Sequence, residues 1–377
     1  MENRQRSYPI EKSKRCFMHM NDNIDFKRLS VSIAWLRFPL MLCVVMLHCF
    51  CTVQLAPGDH LVFYRLVYPF GLWLGESGVP AFFFISGYLF YFSKKTYQEK
   101  ISSRVHTLFY PYLLWNSLFL LLYIGLYLIG HPQDILGKSI GDYGIVDYIR
   151  AYIDRGEYSD GNNGPILCTY WYVRNLFILC LLSPIWYYMN KYLNALFVLV
   201  LFGWWLSLHH NALLAESILF FNFGAFFAIH KINPLKISRK WRFSYLIIWG
   251  LFAIADYASH AFITHNGAFF IHRLSLVLNI CAFIYLADMI VKGDKTKVNS
   301  FLAGSVFWVY ALHDHLAIAL RRFCVTYFST YSDFIQVILY FATVLAVTVI
   351  CLMSYQITKY FFPSFVNFAT GSRTKIR

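Results

Sequence analysis

The chain has 377 residues, of which 58% are hydrophobic and only 14% charged, and its mean hydropathy is +0.50. A soluble protein carries about a quarter charged residues, so this composition excludes an ordinary soluble enzyme, and no stretch between apolar runs has the periodicity of a separate soluble domain. The net charge of +14 calls for no nucleic acid, because basic loops beside anionic lipid account for it.

The apolar runs predict an all-α fold: a polytopic membrane helix bundle with about ten transmembrane helices, each near the length that crosses about 30 Å of hydrocarbon. The expected spans are 32–53, 66–92, 107–130, 168–189, 193–209, 212–230, 243–262, 268–291, 301–320 and 334–358. The fifth and sixth are short and could form a re-entrant pair. The expected organisation is a basic cytoplasmic tail over 1–31, a transmembrane domain over 32–358 and a cytoplasmic tail over 359–377. With the N-terminus inside, 24 of the 33 Lys and Arg fall on the cytoplasmic side and six outside, as the positive-inside rule requires. Both termini are then cytoplasmic. The first thirty residues are polar and basic, so the first helix reads as an uncleaved anchor. The nine cysteines show no paired spacing, and no metal-ligand pattern appears.

In chain order, the first polar groups inside apolar sequence are Arg37 and His48. Eleven residues are close to three helical turns, so both project from one face, about 16 Å apart along the axis. A guanidinium keeps its proton even where burial is costly. Arg37 can pair with phosphates or a carbonyl dipole, or snorkel to the cytoplasmic interface. A neutral His48 can take a proton from a hydroxyl as it attacks an acyl carbonyl, or merely bond another helix.

The second run carries Glu76 and the pair Ser86-Gly87. No Gly-x-Ser-x-Gly elbow surrounds Ser86; Gly87 suits close helix packing, with Ser86 available for a polar contact. The basic loops 93–106 and 231–242 can help hold an anionic donor. The longest polar connection, 131–167, holds six of the 19 acidic residues and reads as an outer lid or a solvated loop. Arg174 and Arg273 enter later spans without an acidic residue one turn away. Glu76 and Asp256 are possible partners, and structural pairing and substrate-site roles are equally open for both arginines. In His313-Asp314-His315, successive residues point about 100° apart, so all three cannot face one site. Asp314 could orient a histidine from another helix, and Tyr310, one turn earlier, could line the same face.

Four stretches together resemble the integral-membrane acyltransferase-3 family. They are Arg37, ten residues and His48; Pro80-Ala81-Phe82-Phe83-Phe84-Ile85-Ser86-Gly87-Tyr88-Leu89; Trp171-Tyr172-Val173-Arg174-Asn175-Leu176; and Val309-Tyr310-Ala311-Leu312-His313. They occur in family order over most of the chain. The family usually has an Arg-rich stretch before a Pro on the cytoplasmic side of the third helix; here only Arg104 precedes Pro111 as an Arg. The resemblance implies an O-acyltransferase with acetyl-CoA as cytoplasmic acyl donor and a sugar hydroxyl of a lipid-linked or surface polysaccharide as acceptor, in the cell inner membrane. It implies catalytic roles for His48, Arg37 and His313, and donor contacts from Arg37, Arg104 and Ser86. Arg174, Arg273, Glu76 and Tyr310 are the acceptor candidates, and no metal is implied. A glycan transporter or flippase, or a glycan polymerase, would use similar buried Arg and His residues.

Overall fold

The computed structural model describes the chain apart from residues 1–8, 52, 57–58, 132–133, 136–137, 155–163, 209–212, 263–264, 292–297 and 373–377. Parts of the connection 131–167 and of the tail 359–377 therefore lie outside the described residues. Apart from a short antiparallel ladder that pairs Asp134–Ile135 with Lys138–Ser139, the described secondary structure is helical.

Helix α1, Pro9–Cys51, runs 43 residues without a break, so helix reaches far back into the basic tail; its apolar part is Arg28–Cys51. The second apolar run is not one helix. It divides into α2 (Leu61–Tyr68), a π-helical turn (Pro69–Leu74) and α3 (Gly78–Phe92). Pro69 has no N–H to give the preceding turn, which disturbs the regular ladder at that point. Next come α4 (Tyr97–Arg104), a second π turn (Val105–Phe109) and α5 (Tyr110–Leu128). A capping box between Thr96 and Glu99 sets the start of α4, satisfying two backbone donors reciprocally.

The long connection contains α6 (Ile145–Ile153), and α7 (Trp171–Leu181) and α8 (Ser183–Leu193) follow. These two meet at 69°, where Pro184 opens the second. The remaining helices are α9 (Ala195–Ser207), α10 (Leu213–Ile229), α11 (Pro234–Lys240), α12 (Arg242–Phe262), α13 (His265–Ile290), α14 (Ser300–Phe328), α15 (Asp333–Phe361) and α16 (Pro363–Ala369).

The expected ten crossings are corrected here. Among the described residues, five helices are long and apolar enough to cross a membrane, or six if the bent α7–α8 pair counts as one span. Hydropathy merges or splits what the backbone does not: Pro69 breaks a run that reads as continuous, α9 and α10 are 13 and 17 residues long, and α12 is not among the helices counted as spans. The ninth expected span also ends too early. Helix α14 continues through Arg321 and Arg322 to Phe328, although that Arg pair closes the apolar run in sequence.

Helix α1 lies at the centre and packs on α3, α13, α14 and α15. It is tied to α13 by Arg28, whose Nε lies 2.7 Å from the Asp288 carboxylate while Nη2 donates to the Asp288 carbonyl at 2.6 Å. Helices α3 and α10 touch backbone to backbone. A Cβ at Gly87 would collide with the Phe221 carbonyl, and one at Gly224 with the Phe84 carbonyl; small residues allow such approach where apolar packing alone drives helix association. The basic segments gather at one end of the bundle. Gly371 packs on Thr107, and Leu235 of α11 shares a cavity wall with Leu29 and Ser32 of α1. At the other end His60 pairs with Asp333 at 2.8 Å, and the same carboxylate accepts from the Val62 and Phe63 backbone N–H groups at the start of α2.

Candidate active site

Helices α1 and α14 cross where His48 and Asp314 meet. Nδ1 of His48 lies 2.9 Å from Oδ1 of Asp314. A carboxylate only accepts, so Nδ1 carries the proton and Nε2 of the neutral ring keeps its lone pair. The His48 side chain is 26% exposed, whereas Asp314 is buried. His313 stands edge-on to His48, with ring centroids 4.8 Å apart. Its Nδ1 donates to the carbonyls of Tyr310 at 2.9 Å and Val309 at 3.2 Å, which leaves the lone pair on Nε2, buried and without a hydrogen-bond partner among the described residues. His313 is 0% exposed. No solvent-sized species touches it, while His48 is reachable.

The third member of the run points elsewhere: His315 bonds the Tyr123 hydroxyl at 3.0 Å and lies against Phe119 of α5. Tyr310 donates to the Thr169 carbonyl and stacks on Tyr170. Its ring centroid is 6.0 Å from that of His313, so it forms part of the wall behind the imidazoles.

Eleven residues inward along α1, Arg37 lines a cavity of about 240 Å³. Ser86 from α3, Arg104 from the end of α4, and Tyr172 from α7 line the same space. Four residues from four helices thus converge, and Ser86 lines the cavity beside Gly87, whose close contact with α10 fixes α3 there. Two guanidiniums share the space and, among the described residues, no carboxylate lines it, so it suits an anion.

The acceptor candidates fall in different places. Arg174 donates to the carbonyl of Ile153, at the last turn of α6, and through Nε to Asn175 Oδ1 at 3.2 Å; it ties the outer connection to the bundle. Ile145, Val146, Ile149 and Ile153 leave an apolar face of α6 exposed, as in a helix lying at an interface. Arg273 lies 4.0 Å from the Phe269 ring centroid and 4.8 Å from that of Trp205, and donates to the Trp205 carbonyl. It is within electrostatic reach of Glu76 and Glu216.

Glu76 and Asp256 pair with a histidine rather than with either arginine. His272 Nε2 lies 2.9 Å from Glu76 Oε2, and its Nδ1 lies 3.1 Å from Asp256 Oδ2. The Tyr68 hydroxyl donates to the same Asp256 oxygen at 3.0 Å and lies 2.6 Å from His260 Nδ1. This second cluster ties the broken α2–α3 segment to α12 and α13. His272 and His260 escaped sequence reasoning, although Asp256 and His260 at i,i+4 was a visible signal. Arg321 escaped it too. This guanidinium is 0% exposed, with Nη2 3.4 Å from the Val53 carbonyl and with Nε and Nη1 unsatisfied.

Comparison with known families gives one match. The acyltransferase-3 model, described as an acyltransferase domain, matches residues 30–355, which takes in both imidazoles, the Arg37 cavity and the second cluster. Neither the curated proteins nor the solved structures contain a match to the chain.

Proposed function

Since the chain belongs to the acyltransferase-3 family, and is by that membership an acyltransferase built on membrane helices, we propose that it is an O-acetyltransferase moving an acetyl group from cytoplasmic acetyl-CoA to a sugar hydroxyl of a lipid-linked or surface polysaccharide. The observation that carries this reading is the partly open imidazole of His48 held by the buried carboxylate of Asp314. His48 Nε2 takes the proton of the acceptor hydroxyl as the oxygen attacks the thioester carbonyl. The new C–O bond forms, the C–S bond breaks, and the proton passes from His48 to the departing thiolate. Asp314 holds the ring in the required tautomer and offsets the charge of the imidazolium while it lasts. His313, too enclosed to meet substrate, is a positioning residue that limits the rotation of His48.

Arg37 and Arg104 take the phosphates of the donor, with Ser86 and Tyr172 beside the arm that follows them. The gathering of basic segments at the Arg37 end supports a cytoplasmic location for that end and for both termini, in the cell inner membrane. The experiment supplies radiolabelled acetyl-CoA and an envelope glycan fraction to membranes containing the wild type, His48→Ala or Arg37→Ala. Alkali-labile label in the glycan with wild type alone is the expected result. Equal labelling with His48→Ala removes His48 as the base.

A further inference from the structure

The connection between α5 and α7 folds back along α5. Gly141 lies against the ring of Tyr127, near the far end of that helix. Eleven residues later the Tyr152 hydroxyl is 2.7 Å from the Ser117 hydroxyl, and the Tyr152 carbonyl accepts from the hydroxyl of Tyr112, close to the start of α5. Tyr127 and Ser117 are ten residues apart, about 15 Å along a helix. Helix α6 therefore runs antiparallel to α5 and reaches inward beside it. Its end is held there by Arg174, which donates to the Ile153 carbonyl. The chain that follows returns to the same level, where the Leu167 N–H donates to Asn116 Oδ1 at 3.2 Å.

The two faces of α6 differ. Ala151 is buried with Leu120 of α5, Ile140 and Ile166, and Tyr148 and Tyr152 pack against them. On the other face Ile145, Val146, Ile149 and Ile153 are 55–82% exposed, and no described residue covers them. Helix α5 belongs to the stretch Tyr97–Leu128, which is long and apolar enough to cross a membrane. At the level of α6 it exposes Leu118, Leu121 and Leu122, and Leu128 is exposed farther out still. The apolar surface of α5 thus extends outward past α6, and the exposed face of α6 continues it. A contiguous apolar surface of this kind marks contact with a membrane or a partner. Arg150 is exposed beside the isoleucines, and its long stem can carry the guanidinium out to a phosphate headgroup.

We propose that α6 is embedded beside α5 in the leaflet opposite the basic end of the bundle, with its isoleucine face against lipid acyl chains. The connection is then a membrane element, where its polarity in sequence suggested an outer lid or a solvated loop. The proposal is independent of the acetyl-transfer reading. The test attaches a nitroxide at Ile145→Cys, Ile149→Cys or Ile153→Cys of the full chain in lipid nanodiscs. A parent carrying Cys51→Ser, which removes an exposed thiol, is labelled in parallel as the blank. Collision rates with oxygen, which concentrates in the bilayer, and with a water-soluble nickel chelate give the depth of each label. Oxygen is expected to dominate at all three positions, with depth increasing from 145 to 153 by up to about 12 Å, the rise of eight helical residues. Dominance of the nickel chelate at all three overturns the proposal in favour of a water-facing lid. Equal depths at the phosphate level overturn it in favour of a helix lying flat on the surface. Weak collision with both, together with dipolar broadening between labels, overturns it in favour of a contact between two copies of the chain. All three positions are exposed, and any two of them give the gradient if one variant fails to fold.

Discussion

His48 and Asp314, separated by 266 residues of sequence, meet at 2.9 Å where α1 crosses α14. The pairing orients the imidazole of His48, because the carboxylate decides which nitrogen keeps its lone pair, and it is this nitrogen that the proposed reaction uses as the base.

Replacing Asp314 by Asn keeps the shape and removes the charge. The amide can donate to Nδ1 and so favour the wrong tautomer. General-base contributions are about 10²–10⁴-fold, so Asp314→Asn is expected to lower kcat at least a hundredfold with little change in the acetyl-CoA KM. Steady-state kinetics on purified protein check this; a loss confined to KM would assign Asp314 to binding.

The two guanidiniums of the inner cavity should act on the donor. A hydrogen bond to a charged group contributes about 1.5–3 kcal/mol, or ten- to a hundredfold. Arg37→Ala and Arg104→Ala are each expected to raise the acetyl-CoA KM by about that factor while leaving the acceptor KM near wild type. Because both face one cavity, the double variant should lose less than the product of the two.

The contact between α3 and α10 allows no side chain at Gly87 or Gly224. Overpacking of this kind costs about 1–3 kcal/mol or more. Gly87→Ala and Gly224→Ala should each lower the thermal unfolding midpoint in detergent. Gly125→Ala is the control, since nothing lies within 4 Å of the Cβ it would add; it should leave the midpoint unchanged or raise it.

His272 stands between two carboxylates. Its removal leaves Glu76 and Asp256 facing each other inside the bundle. Of the two acids only Asp256 is fully buried, and removing the partner of a buried carboxylate is destabilising, so His272→Leu should unfold at a clearly lower temperature. Adding Glu76→Gln to that variant should recover part of the loss, whereas a merely steric role for His272 would leave the double variant no better.

The parts of the site carried on single helices were legible in the sequence. Arg37 and His48 stand out because each interrupts an apolar run, and their spacing places both on one side of α1 whatever the rest of the chain does. Ser86-Gly87 was legible for the same reason, since a small residue in an aromatic run marks a close approach. The partner of His48 was only one option among several. Helical geometry shows that Asp314 and His315 diverge, but not which of them meets α1. Glu76 and Asp256 stood out as possible partners of Arg174 and Arg273, and helix spacing alone does not reveal that His272 bridges them.

The number of spans was the least legible feature. Hydropathy does not register the π turn at Pro69 or the bend between α7 and α8, because neither adds a charge. Arg321 was misplaced for the opposite reason: a charged pair reads as the end of a span, yet α14 carries that arginine on, buried near the outer end of α1.

Helix α1 also works as a ruler. Arg37 and His48 ride on one continuous helix, so the rise from the cavity lined by the two guanidiniums to the level of His48 is set by eleven residues, about 16 Å along the axis. A donor anchored by its phosphates must therefore carry its acyl group on an arm of comparable reach. On the proposed acetyl-CoA reading, acetyl phosphate, whose acyl and phosphoryl groups are directly bonded, is expected to be a poor donor, because it has no arm to span that rise.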